Sequence, residues 1–204
     1  LLDKTIPYAE IWMYRSKNLP VNEPVLPEGF YFKSYQEGDE VVWAAIETAV
    51  SEFENEGLAL NYFEEKFAPY SKDLRTRLLF VVDSSGEKVG TCSAWWKESP
   101  NGVRYPLVHW VAVKPGYQGK GLAKAMVNRT LKLLQELEKN SPIYLHTQTW
   151  SYAAIHLYQK LGFEITDNNL DGSPNVDYQK AMSILASIQN KKTRLIKNNV
   201  IINQ

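Results

Sequence analysis

Between Gln118 and Ala123 the chain reads QGKGLA, after a β-rich run HWVAV and a Pro115-Gly116 turn, and just before a stretch of helical period. The first N–H groups of a helix have no partner within it, and the aligned peptide dipoles place about half a positive charge at that end. Gly119 and Gly121 let a ligand approach those N–H groups, and Ala123 keeps the next position small. The chemistry this permits is the grip of a diphosphate by main chain, with no need of Lys or Arg. A Walker loop would require Lys-Ser or Lys-Thr after its last glycine, and Gly121 is followed by Leu122. A dinucleotide fingerprint would require a third glycine where Lys124 stands. What remains is Q-x-x-G-x-A preceded by V-x-V-x-P.

Other residues of chemical interest are scattered. Glu52, Glu54, Glu56, Glu64 and Glu65 form an acidic cluster that either attracts a cationic amine or is a solvated helix face. Trp95, Trp96 and Trp110 fall on strand-like runs, where indoles pack a core or stack on a ligand at a cleft edge. Tyr62 and Phe63 face the same choice. The single cysteine, Cys92, can form no internal disulfide and no metal cluster, which is the pattern of a reducing cytoplasm.

The elements that must position these residues follow from periodicity. YAEIWMYRS reads as a strand within an N-terminal arm, residues 1–29, and prolines then interrupt regular structure up to the strand Phe30–Tyr35. Val42, Ala45, Ile46, Ala49 and Val50 share a helical face, and a second helix is predicted from Leu60 to Phe67. LLFVVD, KVGTCSAWWK and YPLVHWVAV are joined by short turn sequences at 84–87 and 99–102, so three successive antiparallel strands are expected. Leu122, Met126, Thr130, Leu133, Leu134 and Leu137 recur at helical spacing until Asn140-Ser141-Pro142. IYLHTQT, AAIHLYQK and FEIT add strand, helix and strand, with Gly162 as the helix stop. Residues 178–189 look helical, and 194–203 read as a small hairpin turning at Asn198-Asn199. The order β, α, α, β, β, β, α, β, α, β describes a mixed α/β layout around one sheet.

Length bounds this to one well-cored domain with decoration. A formal net charge of zero gives no electrostatic case for nucleic acid or an anionic membrane. No run approaches the length of a membrane helix, and the first residues lack the layout of a signal peptide.

The loop PGYQGKGLA with its strand and helix resembles the diphosphate-binding motif of the GNAT family of acyl-CoA N-acyltransferases. A second block, AAIHLYQKLGF, resembles the family's A-x-x-L-Y-x-x-x-G-F pattern through Ala154, Leu157, Tyr158, Gly162 and Phe163. The resemblance covers roughly residues 30–166. It implies one twisted, mostly antiparallel sheet of six to seven strands flanked by helices, splayed between the family's strands 4 and 5, in a domain spanning 30–175. Residues 176–204 would be a helix and tail packed on, or swapped from, the same domain.

The activity implied is transfer of an acetyl group from acetyl-CoA to a primary amine, with no metal, by direct attack in a ternary complex. A small-molecule acceptor is expected; a protein or peptide acceptor, a non-catalytic acyl-CoA-binding module and, more remotely, a nucleotide-binding domain are the alternatives. Main-chain groups of Gln118, Gly119, Lys120, Gly121, Leu122 and Ala123 would hold the diphosphate. Those of Val111, Ala112 and Val113 would pair with pantetheine like an added strand, with the N–H near Val111 polarising the thioester carbonyl. Tyr158 would protonate the leaving thiolate. His109 stands where serotonin N-acetyltransferases, which this strand resembles, carry a histidine; alternation puts it on the face of Val111 and Val113, and an imidazole near its ordinary pKa suits a general base. His146 and His156 rank below it. Ser151 replaces the family's usual Asn, and either contacts pantetheine or caps the following helix. Glu52, Glu56 and Trp95 are the acceptor-side candidates. Family members usually add one more antiparallel strand after the sixth; here YAEIWMYRS or NNVIIN is expected at that sheet edge, from the same chain or from a second copy in a homodimer.

Overall fold

The computed structural model describes residues 2–99, 102–138 and 141–202, with side chains as far as residue 190. Its strands are β1 (Glu10–Arg15), β2 (Phe30–Ser34), β3 (Leu78–Asp83), β4 (Lys88–Glu98), β5 (Arg104–Val113), β6 (Ile143–Gln148) and β7 (Glu164–Thr166). They form one seven-stranded sheet in the order β2-β3-β4-β5-β6-β1-β7. Every neighbouring pair is antiparallel except β5 with β6.

Alternation along the strands divides the apolar side chains between two cores. On β3, Leu79 and Val81 enter the first core, while Leu78, Phe80 and Val82 enter the second. The first is covered by α4 (Leu122–Leu137) and α5 (Tyr152–Lys160), the second by α1 (Glu40–Ala49), α2 (Glu56–Lys66) and α3 (Ser71–Arg77). α4 follows the expected face through Leu122, Met126, Thr130, Leu133 and Leu134, which are buried, but not at its last residue, Leu137, which is exposed. Each such fully buried Leu or Met is worth about 1.5–3 kcal/mol relative to exposure. α2 starts earlier than its apolar pattern suggests, because the Asn55 side chain accepts the Leu58 N–H at 3.0 Å and caps the helix.

The N-terminal stretch does not end as an arm. β1 lies inside the sheet, antiparallel to β6 on one side and β7 on the other. Ala9, Ile11 and Met13 alternate into the first core, and Trp12 points to the opposite face. Arg15 closes the strand with its guanidinium buried, donating to the carbonyls of Leu161 (2.8 Å), Leu19 (3.2 Å) and Pro20 (2.6 Å). The slot sought for an additional strand is therefore interior, and the same chain fills it.

One further expectation changes. The hairpin read over 194–203 is instead the end of α6 (Tyr178–Ile202) as far as Ile202, Asn198-Asn199 lacking the glycine that a tight hairpin turn favours; residue 203 is outside the described residues. Residues 100, 101 and 140 of the two predicted turns also lie outside them, although the Gly102 N–H donates to the Ser99 carbonyl at 2.9 Å.

Candidate active site

β5 carries the feature that opens the site. Thr91 of β4 pairs with Ala112, but Ser93 pairs with His109, so three steps on β5 oppose two on β4. The extra residue is a β-bulge. Trp110 sits there with φ 50°, a left-handed backbone rarely taken by a bulky residue. Its indole is held among Trp43, Phe53 and Tyr62, with ring centroids 5.1–5.5 Å away. The bulge takes Trp110 and Val111 out of register with β4 and bends β5 away from β6. Those two strands pair at one position, Leu107 with Tyr144. Beyond it a cavity of about 700 Å³ opens between them, lined by Val111 and Val113 of β5 and Leu145 and Thr147 of β6.

The loop after β5 forms one end of this cavity. The Gln118 side chain donates from Nε2 to the Val113 carbonyl at 2.8 Å, tying the loop to the strand end. Gly119 and Gly121 both have positive φ, 77° and 84°, and no atom stands within 4 Å of where a Cβ would be. The demand for glycine is conformational, and the space in front of it is open. No side chain caps the first turn of α4. An uncapped helix start behind two open glycines is a fit for a diphosphate. Gln118, Gly119 and Ala123 line the cavity. Lys120 turns its ammonium over the rings of Tyr117 and Phe30, and Leu122 is in the core, so these two and Gly121 can contribute main chain alone.

Tyr158 reaches the same cavity from α5, its side chain buried and packed edge-on to Phe163. Burial, with the nearby carboxyls of Glu52 and Glu47, raises the phenol above its ordinary pKa, so it is protonated at neutral pH. Ser151 lines the cavity and makes no capping hydrogen bond, leaving the contact reading rather than the capping one. Glu47, unremarked in the sequence, is 1% exposed with Oε1 lacking a partner, and it lines this cavity from α1. Burial first, and Glu52 second, push its carboxyl well above the usual range. The face expected for α1 is rotated: Trp43, Ala44, Ile46 and Glu47 are buried while Ala49 is exposed, and a face read through Val42, Ala45 and Ala49 passes Glu47 by.

A second cavity, about 1060 Å³, lies on the α2 side of the sheet. Trp12, Tyr70, Trp95 and Trp96 form its aromatic wall, with Trp95 and Trp96 stacked at 4.7 Å. His109, His146 and Tyr62 line both cavities, so the two meet at these side chains. Trp95 thus faces this second space. Glu52 does not: it stands at the rim of the first cavity, and Glu56, exposed at the start of α2, lines neither. Of the acidic cluster only Glu65 reaches the second cavity.

His109 departs from its expected place. Val108, Val111 and Val113 face the first core, whereas His109 packs against Phe67 and Trp110 on the second. The bulge adds a residue between His109 and Val111, and one extra residue reverses every side chain before it. His109 is half-buried with Nδ1 enclosed and unpartnered. Burial, and His146 beside it, push its pKa down to about 3. Its surroundings favour the neutral imidazole.

A bulged, splayed β5–β6 pair with a glycine loop feeding α4 defines an acyl-CoA transferase fold. Residues 38–163 match the acetyltransferase (GNAT) family, and the chain belongs to it. Among curated relatives, mycothiol acetyltransferase of Pseudarthrobacter chlorophenolicus is 30% identical over 181 residues, covering 82% of this chain and 53% of that protein. That of Salinispora tropica is 27% identical, covering 75% and 51%. The chain spans about half the length of the curated relatives it matches. A GCN5-related N-acetyltransferase structure from Sphaerobacter thermophilus superposes with a TM-score of 0.63 at 21% identity, covering 79% of this chain and 49% of that one. A predicted acetyltransferase with acetyl-CoA from Clostridium acetobutylicum gives 0.54 at 17% identity, covering 69% and 94%. These likenesses establish the fold.

Proposed function

We propose that this chain transfers an acetyl group from acetyl-CoA to the primary amine of a small molecule, by direct attack while both are bound. The observation that supports it is the meeting of two cavities, one in the split between β5 and β6 and one on the α2 side of the sheet, at His109, His146 and Tyr62. One has the open glycine loop and Tyr158; the other is an aromatic chamber with room for an acceptor. The relatives' name, mycothiol acetyltransferase, favours a small-molecule acceptor over a protein one.

The main-chain N–H groups of 119–123 would hold the diphosphate and the bulged strand at Val111 the pantetheine, placing the thioester carbon between Tyr158 and the second cavity. Tyr158, kept protonated by burial, donates to the sulfur as it acquires charge.

The test is release of CoA thiol from acetyl-CoA over a panel of small primary amines. The single cysteine, Cys92, is buried, which shields its thiol from the reagent that reports CoA. Tyr158→Phe is expected to lower kcat by about 10²-fold or more while leaving KM for acetyl-CoA unchanged. Thiol release with no amine, or an unchanged kcat in the variant, overturns the reading.

A further inference from the structure

An alkyl ammonium must lose a proton before its nitrogen can attack a thioester, and the bulge turns His109 away from the face of Val111 and Val113 with its Nδ1 enclosed and unpartnered. The sheet supplies another group at the same junction. His146 lies on β6 directly opposite Trp12 of β1, and Glu10 of β1 is its diagonal neighbour on that face. The imidazole stacks on Trp12 at 4.4 Å with 30° between the planes. Its Nε2 is 3.6 Å from Glu10 Oε2. Both side chains line the second cavity, and His146 lines the first as well.

We propose that Glu10 and His146 form a carboxylate–imidazole dyad in which His146 takes the proton from the acceptor's ammonium and Glu10, brought by the N-terminal strand, positions it. The proposal rests on the acetyl-transfer reading above. With Nε2 turned to Glu10, Nδ1 is the nitrogen left to accept a proton. Glu10 is fixed from its main chain: its N–H donates to Asp177 Oδ2 at 2.9 Å, and Asn175 Nδ2 donates to its carbonyl at 3.3 Å. Its carboxylate has a further weak donor in the Tyr8 hydroxyl at 3.5 Å.

The charges around the imidazole are mixed. Burial lowers its pKa most; Glu10 raises it, and Lys97 of β4 lowers it. His109 of β5 stays neutral beside it. Across the cavity stand Glu65 and Lys66 of α2 and Asp171 of the loop after β7. Glu10 is thus the nearest group offsetting desolvation of the imidazolium.

The step balances as follows. His146 takes one proton of R–NH₃⁺. The freed lone pair forms the C–N bond at the thioester carbon, the C–S bond breaks, and its electron pair goes to sulfur, which takes the Tyr158 proton. The phenolate recovers a proton from the new amide nitrogen through water, and His146 returns its own to solvent. One amide, one CoA thiol and one H⁺ result.

Two measurements test this. In the intact chain saturated with CoA, ¹³C-labelled histidines give three imidazole signals, assigned by His146→Gln and by His156→Gln on the exposed face of α5. The His146 midpoint is expected to move to lower pH in Glu10→Gln; an unmoved midpoint overturns the dyad. With an amine accepted in the panel, His146→Gln is expected to lose about 10²-fold in kcat with KM for acetyl-CoA unchanged, His156→Gln to match wild type, and Glu10→Gln to shift the acid limb of kcat/KM to lower pH. A kcat within twofold of wild type in His146→Gln, or a fixed acid limb in the isosteric Glu10→Gln, overturns the proton role. Turnover of no amine at all removes the acetyl-transfer reading and the base with it, whereas normal turnover with an unmoved limb removes the dyad alone.

Discussion

Glu47 is a carboxyl enclosed in the wall of the first cavity with an oxygen that meets no donor. Desolvation holds its proton on in the folded chain at pH values where the unfolded chain has released it. For a folded-state pKa raised above the unfolded one, linkage gives full stability below the ordinary carboxylate range and a decline as pH rises from there toward the folded value. Glu47→Gln keeps the shape and removes the titration. Urea unfolding is therefore expected to show the variant gaining on wild type as pH rises above the ordinary carboxylate range; a gap that stays constant means Glu47 ionises freely in the native protein. At this scale the sequence was legible where position follows from a local pattern: the glycine pair does turn left-handed at the start of α4, and Tyr158 does line the first cavity. It misled at His109, because the reversal depends on one extra residue in β5 that only the pairing with β4 reveals. It was silent on Glu10, whose relation to His146 exists only through the β1–β6 register.

Strand, loop and helix act as one device around β5 and α4. The bulge at Trp110 opens the sheet, Gln118 ties the loop back to the strand end, and the two left-handed glycines aim the uncapped start of α4 into the opening. This was readable because each part is local: strand, glycine pair and helix are contiguous, and the apolar period of α4 is unbroken. The wall of the second cavity is not contiguous. It gathers Trp12 from β1, Tyr70 from the turn before α3, Trp95 and Trp96 from β4 and Asp171 from the loop after β7, and α3 itself has too short a period to announce itself. Gly121→Ala tests the device. No atom stands within 4 Å of the added methyl, so the stability cost comes from φ 84° alone, about 1–2 kcal/mol and a fall in Tm of a few degrees. A ligand cost comes in addition, because the methyl enters the open space before the helix. Calorimetry is expected to show Kd for CoA rising about tenfold or more, equivalent to about 1.4 kcal/mol; an unchanged Kd places the diphosphate elsewhere.

Across the whole molecule, the sheet is completed by β1, which the chain supplies far in sequence from the strands it joins. β1 separates β6 from β7, and the segment leading to it borders the first cavity through Leu2 and Tyr8 before delivering Glu10 and Trp12 to the second. The alternation of Ala9, Ile11 and Met13 was visible in the sequence, but which strands it would join was not, since no local signal encodes a pairing more than a hundred residues away. Deleting residues 1–16 removes the buried side chains Ile11, Trp12 and Met13, about 1.5–3 kcal/mol each, and leaves two strand edges and the three carbonyls now served by Arg15 without partners. Domains of this size hold only about 5–15 kcal/mol in total. The truncated chain is expected to lose cooperative thermal unfolding, and a peptide of residues 1–16 added in trans to restore it in part by refilling the slot between β6 and β7. Cooperative melting of the truncated chain within a few degrees of the intact one would mean that the sheet closes without β1, and that Glu10 reaches His146 by an attachment the rest of the fold does not need.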